Sequence, residues 1–281
     1  MKKSRLFPIL MAAIATLFSC APKAEQPRIL VLYYSQTGIT EQVAQEIVNL
    51  TGADIEPVKA IPPYDGDYAQ TIERSGRERE EGILPDIEPL TSDIASYDIV
   101  FLGFPVWFGT YAPPIAKLLE NPAPFAGVKV VPFCTFGSGG LESSTKNLKE
   151  CLGESEILEG YGVRAARIGE MPAEIARFLT EGKFIEGEVA PLEPFSEVRD
   201  VTPGEAAIFD EAVKDYRMIS ARAKTACSRQ LPDGNGVEYL FTAENLPREG
   251  MPPRGVPNNM EMKVYVLVKE GEAPVFTRVV R

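Results

Sequence analysis

The sequence predicts an α/β protein: a doubly wound, five-stranded parallel sheet, followed by a small α+β unit of one helix and an antiparallel sheet. Three observations carry this reading. From residue 28 to residue 180, short β-branched apolar runs alternate with helical patterns, the signature of right-handed βαβ crossovers. Three of those runs end in a polar, an aromatic or a Gly-rich loop, all at one edge of the sheet they would form. Beyond residue 200 one helical stretch precedes four runs joined by turns, a pattern of antiparallel pairing.

The chain opens with a segment that stands outside the fold. Lys2, Lys3 and Arg5 precede the apolar run Leu6 to Phe18, so residues 1–19 read as a secretory leader, too short to span a bilayer. Leu17-Phe-Ser-Cys20 resembles the lipobox of bacterial lipoproteins, which would make Cys20 the acylated first residue; an ordinary cleavable leader with an incidental Cys is the alternative. Residues 20–27 form a tether.

The first domain spans residues 28–183. Arg28 to Tyr34 is apolar throughout and predicts a strand buried on both faces. After Ser35 to Thr40, the stretch Glu41 to Leu50 carries Val43, Ile47 and Leu50 at helical spacing. Asp98 to Gly103 is a second strong strand, with a Pro/Gly loop and the helix Ala112 to Glu120 behind it. Gly127 to Thr135 is the third, followed by a Gly-rich loop and the helix Leu141 to Cys151. Ala53 to Val58 and Ser155 to Gly162 are weaker strands, and Met171 to Thr180 is the last helix. Residues 184–200 are acidic and Pro-rich, a linker. Residues 201–281 form the accessory α+β domain: the helix Pro203 to Met218, then runs at Ser220 to Cys227, Val237 to Ala243, Met260 to Val268 and Val275 to Val280, with a turn through Asp233 to Gly236. That element order resembles cystatin-like folds.

Composition closes off several kinds of chemistry. The 281 residues include no His, which excludes a Ser-His-Asp triad, an imidazole base and His-ligated zinc or haem. Forty acidic against 29 basic residues, a net charge of −11, weigh against a nucleic-acid partner. Apart from Cys20, the thiols are Cys134, Cys151 and Cys227; with no C-x-x-C pair, no metal site is expected. Cys134, at the end of a central strand, is expected to be a buried core thiol. Cys151 sits one helix of about ten residues away, roughly 15 Å and beyond disulfide reach. The acidic run Glu78 to Glu81 reads as a solvated helix face.

The chemistry gathers in three loops. Ser35-Gln-Thr-Gly-Ile-Thr40 leaves the first strand and opens the first helix, where unpaired N–H groups and a partial positive charge attract anions. Its three hydroxyls, with Gly38 allowing close approach, make a phosphate cradle without Lys or Arg; a polar turn that merely caps the helix has the same composition. It is neither a Walker loop nor a Gly-x-Gly-x-x-Gly turn. The second loop, Phe104-Pro-Val-Trp-Phe-Gly-Thr-Tyr111, brings the only Trp to the ligand edge. Core packing of Trp107, Phe104 and Phe108 is the alternative, weakened by Pro105, Gly109, Pro113 and Pro114, which a continuous strand would not tolerate. The third is Phe136-Gly-Ser-Gly-Gly140. An aromatic and a Gly-rich loop beside a phosphate cradle suit a flat, partly apolar ring.

Tyr33-Tyr-Ser-Gln-Thr-Gly-Ile-Thr40, Gly103-Phe-Pro-Val-Trp-Phe-Gly-Thr110 and Cys134-Thr-Phe-Gly-Ser-Gly-Gly140, in this order and spacing, resemble the flavodoxin family, most closely its exported, lipoprotein-like branch. The resemblance covers about Arg28 to Thr180, and Pro63-Tyr64 and Tyr68 also look like that branch. It implies a flavodoxin-like fold and FMN. Ser35, Gln36, Thr37, Gly38, Ile39 and Thr40 would hold the phosphate. Pro105, Val106, Trp107, Phe108, Gly109 and Thr110 would flank the ring on one side, and Thr135, Phe136, Gly137, Ser138 and Gly139 on the other. The function implied is electron transfer or flavin-dependent reduction at the cell envelope, with a redox donor and acceptor that the sequence does not name. The alternatives are an FMN-dependent NAD(P)H or quinone reductase, and a flavodoxin-fold scaffold whose C-terminal domain binds a partner. Acidic surroundings would lower the potential of a bound flavin or guide a basic partner; solubility alone explains them equally well. Ala21 after Cys20 resembles outer-membrane sorting signals, so the lipid-anchored protein is expected on that membrane, facing the periplasm or the exterior.

Overall fold

The computed structural model describes residues 26–65, 67–216, 220–232, 234–246 and 261–281. The leader, Cys20 and most of the tether lie outside them. So do Met218, Asp233 and Met260, and the side chain of Tyr68 is likewise outside the description.

Strand β1 (Ile29–Tyr33) runs into α1 (Ile39–Thr51), which ends at left-handed Gly52, whose N–H bonds Val48 O. Strand β2 (Asp54–Pro57) follows. Next, a small antiparallel pair, β3 (Ala60–Ile61) with β4 (Asp86–Ile87), frames helix α2 (Tyr68–Glu81), which starts in a capping box between Asp67 and Gln70. The chain returns through β5 (Ile99–Trp107), hairpins into β6 (Thr110–Tyr111) and enters α3 (Pro113–Leu118). Then come β7 (Lys129–Phe136), α4 (Leu141–Cys151), β8 (Glu156–Ile157), β9 (Tyr161–Arg164) and α5 (Met171–Glu181).

The sheet order is β2-β1-β5-β7, with β8 and β9 together in the fifth place, and all these pairings are parallel. Because side chains alternate along a strand, each strand feeds two cores. Leu30, Leu32, Val100, Leu102 and Val130 pack with Ile115 of α3 and Leu148 of α4. Val31, Tyr33, Phe101, Val131 and Phe133 pack with Val43 and Ile47 of α1 and with Ile175 and Leu179 of α5. This is the expected doubly wound sheet.

The fifth strand is broken where one run, Ser155 to Gly162, is expected. Val130 O accepts from Leu158 N, so the backbone two residues on, at Pro132, also faces the edge strand and has no N–H to give. The edge therefore loops out at residues 158–160 and re-pairs as β9, with Gly160 packed against Pro132.

After the acidic segment, β10 (Arg199–Asp200), expected within the linker, pairs with the C-terminal sheet. Helix α6 (Pro203–Val213) begins in a second capping box, Thr202 with Glu205. It is shorter than expected: a turn after Val213 brings Tyr216 onto Phe276, ring centres 5.1 Å apart. Strands β11 (Ala221–Gln230), β12 (Gly236–Asn245), β13 (Glu261–Lys269) and β14 (Val275–Val280) follow as an antiparallel meander, leaving β14 at an edge. Phe209 and Val213 of α6 bury against Phe241, Val264 and Phe276. Cys134 and Cys227 are buried, Cys151 is exposed and all three are free. Among the described residues no helix is long and apolar enough to cross a membrane, and no cluster of metal-binding side chains occurs.

Candidate functional site

From β1 the chain leaves to one side, to β2, and returns on the other, at β5, so the loops beyond these strands part and open a crevice at the carboxyl edge. Residues 34–38 fill one side of it. Gly38, in the left-handed region at φ 79°, is the N-cap of α1 and supplies no side-chain cap; a Cβ there would meet nothing within 4 Å. Ser35 Oγ accepts from Glu41 N at 3.3 Å, which places that hydroxyl in front of the helix N-terminus. Thr37 is exposed beside it. Thr40 is only 1% exposed, and its Oγ1 lies 2.8 Å from Thr135 Oγ1, joining the first loop to the third. Gln36, expected at the phosphate, turns its side chain elsewhere: its Oε1 accepts from the Tyr34 hydroxyl at 2.5 Å, and its Nε2 donates to Tyr64 O.

The second loop is a hairpin arm, contrary to the expected interruption. Strand β5 continues through Pro105 to Trp107 and pairs back on β6, with Val106 opposite Tyr111 and Trp107 opposite Thr110. The turn is made by Phe108 at φ 50° and Gly109 at φ 83°. Pro105 is tolerated because of the side it faces. Gly103 O accepts from Tyr34 N, so Pro105, two residues on, also points toward β1, which has already ended.

Trp107 is half-buried, so core packing holds part of it. Its indole is gripped edge-on by Tyr64, centroid distance 5.2 Å, and by Tyr34 at 6.0 Å. Tyr64 is itself clamped. Its hydroxyl donates to Glu78, the Arg74 guanidinium lies 3.9 Å over its ring, and Arg74 Nε donates to Glu78 at 2.8 Å. Burial, then Glu78, drives the Tyr64 phenol far above its ordinary pKa, and burial does the same to Tyr34. Glu78 is thus a partly buried strut rather than part of a solvated face; Glu80 and Glu81 are exposed as expected. Arg74 and Glu78 lie outside every motif, although their spacing of four is a readable helix pair; Tyr34 lies within the first motif but carries no role there in the sequence.

The third loop closes the site. Phe136 is buried, and Gly140, at φ 125°, lets the backbone come against Val106, whose Cγ1 would lie 2.5 Å from a Cβ there. Helix α4 ties this loop to the hairpin: Ser143 Oγ donates to Gly109 O at 2.5 Å and Asn147 Nδ2 to Thr110 Oγ1 at 2.9 Å. Gly137 O and Ser138 O are both taken, by Arg164 Nε at 2.9 Å and by Val279 N of β14 at 2.7 Å. Cys134 beneath is fully buried, and that burial holds its thiol well above the ordinary range, so it is no nucleophile.

A flavodoxin family profile matches residues 28–169. The chain belongs to the flavodoxin family. FMN is the cofactor that this membership brings. The donor set fits that group: a helix N-terminus whose N-cap glycine brings no side chain, two hydroxyls at its mouth and a Gly with open space for a phosphate, beside an aromatic arm and a Gly loop for a ring. Among solved structures, a candidate flavoprotein from Bacteroides eggerthii is 28% identical, covering 53% of this chain and 98% of its own, with a TM-score of 0.44. A flavoprotein from Lactobacillus acidophilus in complex with FMN is 22% identical, covering 54% and 97%, with a TM-score of 0.45. A second Bacteroides protein, a candidate flavoprotein from B. uniformis, is 23% identical, covering 54% and 99%, with a TM-score of 0.47. No curated protein matches the chain.

Proposed function

We propose that this flavodoxin is an electron-transfer or flavin-dependent reducing protein of the cell envelope, held there by lipid on Cys20. The observation that carries the chemistry is the meeting of three loops around the glycine-opened N-terminus of α1. Bound FMN supplies reversible one- and two-electron reduction. The chain's own residues bind and orient it. The first-turn N–H groups of α1 and the hydroxyls of Ser35 and Thr37 take the phosphate, with the helix dipole in place of a basic side chain. Trp107, fixed by Tyr34 and Tyr64, would flank the ring on one side, and the Gly137 to Gly139 backbone would line the other.

The absorption spectrum of the purified protein tests this. Near-stoichiometric flavin bands, with FMN identified by mass after extraction, are expected; a colourless protein that ignores added FMN would reject the reading in favour of a scaffold. Addition of NADH or NADPH then separates a carrier, whose flavin colour persists on the mixing timescale, from a nicotinamide-dependent reductase, whose colour bleaches at once.

A further inference from the structure

The loop assigned to the flavin ring is held from outside by the C-terminal sheet. Strand β14 is the edge of that sheet, and the outward N–H of Val279 donates to Ser138 O at 2.7 Å. Gly139 has no room for a side chain, because a Cβ there would overlap Val279 O. That glycine is therefore explained by the strand behind it. Arg164, at the end of β9, bridges the two units. Its Nε donates to Gly137 O at 2.9 Å and its Nη1 to Phe276 O at 2.6 Å. The guanidinium also covers the Phe276 ring at 4.3 Å and the Tyr216 ring at 5.3 Å. At the rim, Lys269 of β13 pairs with Glu170 at 3.0 Å.

Two successive carbonyls of the ring loop, at Gly137 and Ser138, are thus committed to donors on its outer side. A free Gly-Ser-Gly segment would sample many backbone conformations, and ordering it on a ligand would cost binding free energy. Here the ordering is done beforehand by Arg164 and β14. We propose that the C-terminal sheet is a working part of the flavin site: β14, clasped by Arg164, presets the Gly137 to Gly139 loop, so that FMN binding and docking of the sheet strengthen one another. This rests on the FMN reading above. Reciprocity follows from linkage: whatever factor docking contributes to FMN affinity, FMN returns to docking.

The test uses the full chain, titrated with FMN, with amide hydrogen exchange followed at Val279. In the wild type, FMN is expected to slow exchange of the Val279 N–H several-fold. Arg164→Ala should weaken FMN binding about tenfold, the order for a lost hydrogen bond from a charged group, and should speed Val279 exchange. Val279→Pro removes the outward donor of an edge strand, where proline is tolerated, together with a buried side chain of the C-terminal core; in the variant shown to be folded by circular dichroism, FMN should bind similarly weakly although residue 279 lies outside all three ligand loops. Val279 exchange unmoved by FMN, or wild-type FMN affinity in folded Arg164→Ala, would overturn the coupling while leaving the flavin assignment standing. A wild-type chain that binds no FMN overturns the flavin reading and this proposal with it.

Discussion

Thr40 and Thr37 sit three residues apart and do different work. The Thr40 hydroxyl is sealed from solvent and bonded to Thr135, so it staples two loops; Thr37 is exposed at the helix mouth. Thr40→Val strands the Thr135 hydroxyl in a buried site and should cost about 1–2 kcal/mol of stability, read from the denaturant midpoint. Thr37→Ala should leave that midpoint in place and weaken FMN binding by about 1–3 kcal/mol, the range for hydrogen bonds to a charged group. Equal effects of both on both quantities would show that the division of labour is wrong. The tyrosines supply a pH prediction. Burial, reinforced by Glu41, pushes Tyr33 up to about 12 from its ordinary 10.0, and burial also raises Tyr34, Tyr64, Tyr111 and Tyr161. Above pH 10 the unfolded chain therefore binds fewer protons than the native one, and stability falls as pH rises. The stabilisation from these neutral phenols is fully present below that pH and is lost progressively through and beyond about 12. A urea midpoint that holds level between about pH 9 and about pH 11 would contradict this.

At the scale of elements, what could be read in the sequence and what could not divide along physical lines. Buried parallel strands and the helices around them are written as apolar runs and periodicities, so β1, β5, β7, α1, α4 and α5 lie where the pattern puts them. Two prolines mislead in opposite directions, because the effect of a missing N–H depends on the side it faces. Pro105 points where β1 has ended and the strand continues; Pro132 points at the edge strand and breaks it. Helix α2 is nearly invisible to hydrophobic patterning, since among its described side chains the buried ones are Thr71 and Ser75. Yet it carries Arg74 and Glu78, which hold Tyr64 against Trp107. That chain of contacts predicts a result at long range. Trp107 is the only Trp, so its emission reports this site alone. Tyr64→Ala should red-shift that emission by admitting water and weaken FMN by about 1 kcal/mol, the scale of one aromatic contact. Tyr64→Phe keeps the ring and should change neither quantity much; an emission maximum unmoved in Tyr64→Ala would mean the clamp does not hold the indole.

On the scale of the whole molecule a net negative charge and the proposed leader meet in one question, how the protein is placed. Three of the chain's positive charges lie in residues 1–19, so cleavage of the proposed leader would move the net charge from −11 to about −14, and an anionic bilayer surface would repel such a chain. Under the proposed lipid anchor, acyl chains on Cys20 would supply the attachment; two or more hold a protein stably, whereas one gives marginal, reversible binding. The seven residues Ala21 to Pro27 reach at most ~25 Å, so β1 would begin close to the bilayer. If the proposal holds, a carrier so placed would meet partners in the same membrane by lateral diffusion and would need no charge attraction to the lipid. Cys20→Ser removes the proposed acylation site and lies outside both described domains. The expected outcome is wild-type protein in the membrane fraction, extracted by detergent but not by high salt, and Cys20→Ser either uncleaved or released to the soluble fraction with its FMN affinity intact. Wild-type protein found wholly in the soluble fraction, or released by salt alone, would refute the lipid anchor, because acyl burial is insensitive to ionic strength while surface charge attraction is screened by it.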